Sequence, residues 1–380
     1  MHRYVPRICE GRHVVEKRDM NAENVGTGPG NWSTLSQGLP LVVGVDLGGT
    51  QIRAAVLHGS TLLSRVSFLT GEHPSPDRVI PRLFQAVQQA LDGAHITLND
   101  IEGIGIGAPG PVNPHTGVIL APPTLPGWKN VPLLDLFHEQ FGVPIFLEND
   151  ASAAALAEYL FGAGRGCEAL VYMTVSTGIG GGIIIGGKIW QGISGTAAEL
   201  GHMTIDWQGE RCACGNIGCL EQYASGTAIA RAAREAIVRG QGEALRAFAL
   251  SHRSEDETAN TLDDNTTAPV SPPQINARTV AQAAGAGIPL ACAIISKAAE
   301  ALGVGLVNII HIFNPKLIIL GGGVAQMGDL LLEPARQIVQ ARAMHTPRNA
   351  VQIVPAELGK NVGLAGAGAL LYYHKQGGLS

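Results

Sequence analysis

The sequence predicts a mixed α/β chain folded as two similar domains with a cleft between them. Two apolar strand–turn–strand units, Leu41 to Leu57 and Ala169 to Ile185, stand about 130 residues apart, and each bends through small residues, as a duplicated core requires. Around them, β-rich apolar runs alternate with Ala-rich helical ones, the pattern of helices packed on sheets. At 380 residues, 46% hydrophobic and 15% charged, the chain is long enough for two sizeable cores.

Taken in order, residues 1–39 lack sustained periodicity and end in GTGPGNWSTLSQGLP, which reads as a disordered tail with Met20 as an alternative start. Leu41 to Val45 is a strand ending in Asp46-Leu47-Gly48-Gly49-Thr50, and Ile52 to Leu57 resumes as a second strand. Such a turn lets backbone N–H groups approach phosphate oxygens. Glycine alone makes an ordinary hairpin; the preceding Asp46, placed to hold a metal-bound water, adds the functional reading. Arg78 to Leu91 has helical spacing through Leu83, Val87 and Leu91. Ile101 to Gly110 runs from a strand into a glycine loop. Its Gly105 to Gly110 satisfies G-x-G-x-x-G, but Pro109, Pro111 and Pro114 forbid the helix that must follow in a dinucleotide fold, so that fold is excluded.

Pro126-Gly127-Trp128 closes a proline-rich loop, and Val143 to Leu147 is a short buried strand. Glu148-Asn149-Asp150 then lead into the helical run ASAAALAEYL. Asn or Asp before such a run is most often a helix N-cap, yet the start of a helix leaving a strand is also a rigid mount for a working carboxylate. Ala169 to Val175 is a strand, followed by a turn over Ser176 to Gly182, including Thr177 and Gly178, and a strand over Ile183–Ile185. Ser225 to Leu250 reads as helix, and the polar, acidic stretch 251–274 as a flexible, dispensable surface insertion. Helix resumes from Thr279. After Ala299 to Ile310, the strand Leu317–Leu320 meets Gly321-Gly322-Gly323-Val324, which allows close approach of a flat ring. Gly363 to Leu371 is a Gly/Ala-rich final helix.

The densest chemistry lies in ELGHMTIDWQGERCACGNIGCLE, from Glu199 to Glu221. Cys212, Cys214 and Cys219 fall inside eight residues with His202 just upstream, the Cys₃His donor set of a closed tetrahedral zinc site. Gly215 and Gly218 let the short loop turn back so that three sulfurs converge. Glu199 and Glu221 flank the set. A carboxylate beside a metal loop can be plain solvated surface; two of them pinned beside a histidine can also accept hydrogen bonds from a polyol.

A formal net charge of −5 argues against a nucleic-acid surface. Six cysteines, three of them in the metal loop, suit a reducing cytoplasm. No apolar run reaches transmembrane length without Gly or polar interruption, which predicts no membrane span. G-x-x-x-x-G-K-S/T does not occur, which excludes a P-loop kinase.

E-x-G-H followed by C-x-C-G-x-x-G-C-x-E resembles the signature of the ROK family of sugar kinases and sugar-responsive repressors. D-x-G-G-T at Asp46, G-x-P-G-P-V at the loop of Gly110, L-E-N-D-A at Asp150 and L-G-G-G-V at Gly322 and Gly323 follow the family in colinear order over residues 41–373. One departure is Thr124, which stands where many members carry an Asn before Leu-Pro-Gly-Trp. The resemblance implies two actin-like (ribonuclease-H-like) domains: 40–149, completed by a helix at about 363–380, and 150–362, with the zinc loop at 202–219. It implies ATP-dependent phosphorylation of a hexose, glucose first, with Asp150 as general base. It further implies that Asn149, Glu199, His202, Glu221 and Gly110 contact the sugar. Asp46, Gly48, Gly49, Thr50, Thr177, Gly178, Gly322 and Gly323 would serve nucleotide with Mg²⁺, while His202, Cys212, Cys214 and Cys219 hold Zn²⁺. Family members are commonly dimers or tetramers. Kinases for another hexose or N-acetylhexosamine, and a non-catalytic regulator, stay open, although the tail has no paired amphipathic helices for a helix-turn-helix.

Overall fold

The computed structural model describes residues 38–252 and 275–375. The first unit runs β1 (Leu41–Leu47), β2 (Gln51–His58), β3 (Thr61–Leu62), β4 (Val66–Leu69), α1 (Pro76–Gly93), β5 (Ile104–Ala108), β6 (Val112–Asn113), β7 (Val118–Ile119), α2 (Leu133–Phe141) and β8 (Ile145–Asn149). Helix α3 (Asp150–Phe161) leads to β9 (Ala169–Val175), β10 (Ile179–Ile185) and β11 (Lys188–Ile189). Then follow α4 (Glu221–Ala224), α5 (Gly226–Val238), α6 (Glu243–Ser251), α7 (Ala277–Gly285), α8 (Pro289–Phe313), β12 (Leu317–Gly321), α9 (Asp329–Arg342), α10 (His345–Ala350), β13 (Gln352–Pro355) and α11 (Val362–Lys375).

The two main sheets have one topology. The first is ordered β3-β2-β1-β5-β8, with β4 also on β2, and the second β11-β10-β9-β12-β13. In both, an antiparallel hairpin (β1–β2, β9–β10) is extended by two parallel strands. The duplication read from the two hairpins therefore extends to every strand of the second sheet. In such sheets the ends of the parallel strands at their carboxyl side are where ligands bind. Asp46, the Gly110 loop, Asn149, the Thr177–Gly178 turn and the Gly322–Gly323 turn all stand there.

Small residues bring helices close to these sheets. Helix α11 lies on β1, β5 and α3, and a Cβ on Gly105 would overlap the Ala367 carbonyl. Gly182, expected in a turn, is in β10, where a Cβ would stand 2.6 Å from that of Ala155 on α3. The turn is thus only Ser176 to Gly178; of the later glycines, Gly180 and Gly182 make room for α3 and Gly181 for Leu200. The expected single helix from Ser225 to Leu250 is two, because Gly240, at φ +75°, breaks it between α5 and α6. Ser225 caps α5, its Oγ accepting from the Ala228 amide at 3.1 Å. After β5 comes the β6–β7 hairpin and no helix. Helix α8 is long and apolar enough to cross a membrane, but 67% of its most apolar window is buried in the fold. The expected tail and the insertion fall largely outside the described residues, with Ser251 ending α6.

Candidate active site

Helix α3 begins where β8 ends, and Asn149 and Asp150 share the junction. Asn149 Oδ1 accepts from the amides of Ala151 (3.0 Å) and Ser152 (3.2 Å), so Asn149 is the N-cap. Asp150 is partly exposed, with Oδ1 accepting from the Ala151 amide at 2.8 Å. Burial pushes its carboxyl up to about 7. The Asp46 charge adds to that shift, the Ala151 amide opposes it, and Glu199 raises it further. Asp46 is 7% exposed, opposite Arg53 in the β1–β2 register, and the two form an ion pair. Burial raises the Asp46 carboxyl while Arg53 pulls it down.

The Gly110 loop closes on the same place. A Cβ there would lie 3.1 Å from Asn149 Nδ2 and 3.3 Å from Glu199 Oε1, so a residue without a side chain leaves room between them. Burial raises Glu199, with His202 opposing and Glu221 adding. Asn149, Asp150, Glu199 and Gly110 are thus brought together, with Asp46, His202 and Glu221 around them.

The Cys/His loop gathers four donors that could hold a metal ion. The ligand atoms of His202, Cys212, Cys214 and Cys219 lie within 4.8 Å of one another. Zn–S bonds of about 2.3 Å in a tetrahedron separate two sulfurs by about 3.8 Å, and a Zn–N bond of about 2.1 Å separates S from N by about 3.6 Å. Cys214 Sγ and Cys219 Sγ stand 3.7 Å apart, and Cys212 Sγ stands 3.6 Å from His202 Nδ1. The donor set fits a tetrahedral ion in both type and spacing. Gly215 (φ +95°) and Gly218 (φ +71°) take the left-handed backbone that the loop requires. The other ring nitrogen of His202, Nε2, faces Glu199 Oε2 at 4.0 Å.

The loop is also wired to the second glycine turn. Glu221 Oε2 accepts from the Ile179 amide at 2.8 Å, and a Cβ on Gly178 would overlap it. Gly226 N donates to Ser176 O (2.7 Å), and the Thr227 amide and hydroxyl donate to Thr177 O (3.2 and 2.9 Å). Beside this turn is a cavity of about 1080 Å³ whose lining includes Thr177, Thr227, Gly323, Arg234, Arg246 and Arg278. Thr177 and Gly323 meet there. Gly48, Gly49 and Thr50 do not line it; they lie on the first sheet, where a Cβ on Gly49 would stand 2.8 Å from Thr124 O. Thr124 therefore packs on the first glycine turn.

Sequence reasoning missed Arg53, Thr227, Glu148 and Gln191. Glu148 had a signal, an acid ending an apolar strand beside Asn149. Gln191 had none, because its partner is distant in sequence.

A duplicated α/β fold with an acidic cluster at its strand ends defines an actin-like fold with the layout of a sugar phosphotransferase. The sequence matches the ROK family over residues 42–373, and the chain belongs to that family. The glucokinase of Streptomyces coelicolor is 36% identical over 332 residues, 87% of this chain and 97% of its own. The crystal structure of a ROK family glucokinase from Streptomyces griseus in complex with glucose and AMPPNP matches with a TM-score of 0.72 at 35% identity, covering 87% of this chain and 98% of that one. The xylose repressor of Caldicellulosiruptor bescii is 32% identical over 305 residues, 80% of this chain and 70% of its own.

Proposed function

We propose that this sugar kinase transfers the γ-phosphoryl group of ATP to the 6-hydroxyl of a hexose, with glucose the first candidate. The observation that carries the reading is Asp150, a carboxyl on a capped helix start whose surroundings push it up to about 7, beside Asn149 and Glu199. A general base works best with a pKa near the operating pH. In this reading Asp150 accepts the proton of the hydroxyl as its oxygen bonds to the γ-phosphorus, and the bond from that phosphorus to the ADP oxygen breaks. Phosphoryl transfer asks the protein mainly for positioning and charge stabilisation. Asn149, Glu199, His202, Glu221 and Gly110 would hold the sugar. Gly48, Gly49, Thr50, Thr177, Gly178, Gly322 and Gly323 would approach the nucleotide with backbone.

Mg²⁺ accompanying ATP would neutralise phosphate charge, and Asp46 is the carboxylate suited to one of its waters. Zinc on His202, Cys212, Cys214 and Cys219 would close the loop that carries Glu221. With Nδ1 on the metal, His202 would keep an Nε2–H to donate toward Glu199 or a sugar hydroxyl. We place the chain in the cytoplasm as a dimer or tetramer, as the family resemblance implies.

The repressor relative favours one second reading, a regulator that binds sugar and transfers nothing. ADP release measured against a panel of hexoses, N-acetylhexosamines and xylose separates the two. Sugar-dependent ADP release, highest with glucose, is expected; sugar binding without ADP release from any of them would establish the regulator.

A further inference from the structure

We propose that Glu148 and Gln191 are positioning residues for the sugar, latching to the first unit the loop that delivers Glu199; this rests on the kinase reading above. The segment 190–199 leaves β11 at the edge of the second sheet and crosses toward the first unit. It is held there at three points. At its root, the Ile189 amide donates to the Tyr373 hydroxyl on α11 at 3.1 Å. Gln191 Nε2 donates to Glu148 Oε2 at 2.5 Å, at the end of β8. Gly195 packs against Pro114, leaving only 2.5 Å between the place of a Cβ and Pro114 Cδ.

The latch transmits along a short path. Gln191 O accepts from the Ala197 amide at 3.0 Å, so fixing Gln191 fixes Ala197. The next residue, Ala198, sits at φ +66°, a region that L side chains rarely adopt, and its carbonyl accepts from Leu200 N at 2.7 Å. That turn sets the direction in which Glu199 leaves the chain, toward Gly110 and Asn149. A loop held at only one end would let this carboxylate wander, and a binding group is worth most when its supporting shell is locked.

Glu148 is built for this purpose. It is 2% exposed, and both oxygens are used: Oε1 accepts from the Asn149 amide at 2.8 Å and Oε2 from Gln191. One carboxylate therefore ties the backbone of Asn149 to the loop carrying Glu199, two residues assigned to the same sugar. A buried acid costs desolvation that an apolar residue would avoid, and no step of the proposed transfer uses Glu148. Its burial is explained by the two elements that it joins.

Gln191→Ala removes the latch at a partly exposed position, where truncation leaves the fold intact. The expected result is a glucose KM raised by about tenfold, with the ATP KM within about twofold and the melting temperature nearly unchanged. In a Glu199→Gln background the same truncation should add less than about twofold, because the latch acts through Glu199. Glu148→Gln keeps the volume but one acceptor fewer, and should raise the glucose KM in the same direction. An unchanged glucose KM in Gln191→Ala, an equal rise in ATP KM, or full additivity with Glu199→Gln would overturn the latch. Wild-type turnover in the same assay reports on the kinase reading separately.

Discussion

Asn149 and Asp150 divide two tasks that the sequence could not apportion. Either could cap α3; Asn149 does so with two amides, while Asp150 stays partly exposed beside it. The motif L-E-N-D-A singled out both residues, but the electrostatics were not legible, because they come first from burial in the fold and then from Asp46 and Glu199, far away in the chain. Asp150→Asn keeps shape and cannot take a proton. Turnover should fall by about 10²–10⁴-fold in a folded variant whose sugar affinity, measured by calorimetry, stays within about tenfold. The pH dependence has a definite sign. Below its pKa Asp150 holds the proton and cannot accept another, so kcat/KM for the sugar should rise with pH and level off above about 7. A flat profile from pH 5 to 8 would contradict the assignment.

The metal loop was the most legible element, since donor types and glycines are local properties of one short stretch. What the stretch could not reveal is its coupling to the second glycine turn. Glu221, Gly226 and Thr227 hydrogen-bond around the Ser176–Ile179 turn, so the metal loop and that turn form one piece. Cys214→Ala should therefore release the zinc, about one per chain in the wild type, and lower the melting temperature. It should also weaken sugar and ATP binding together, each by about tenfold or more. Elemental analysis and calorimetry check this; metal-free protein with unchanged affinities would refute it. Elsewhere, glycine content misled. Gly180 to Gly182 read as a turn because sequence shows a missing side chain but not what fills its place, α3 at Gly180 and Gly182 and Leu200 at Gly181.

The duplicated topology was legible from two hairpins because a repeated core repeats its local pattern. The joints between the two units were not, being made by residues distant in sequence. Glu158, fully buried on α3, accepts from the amides of Ala163 (2.9 Å), Glu357 (3.2 Å) and Leu358 (2.9 Å), and so ties the end of α3 to the segment between β13 and α11. Glu158→Ala would strand three amides, each costing about 1–3 kcal/mol, and should lower unfolding free energy by about 3 kcal/mol or more in urea titrations. The central claim concerns the whole molecule: the two units bring sugar and nucleotide together for transfer. Product analysis by ³¹P NMR after incubation with glucose, ATP and Mg²⁺ tests it most directly. The account predicts one ADP for each new phosphate monoester, located on the 6-oxygen of the sugar. A phosphate on another oxygen, or intact ATP in the presence of protein-bound glucose, would contradict it.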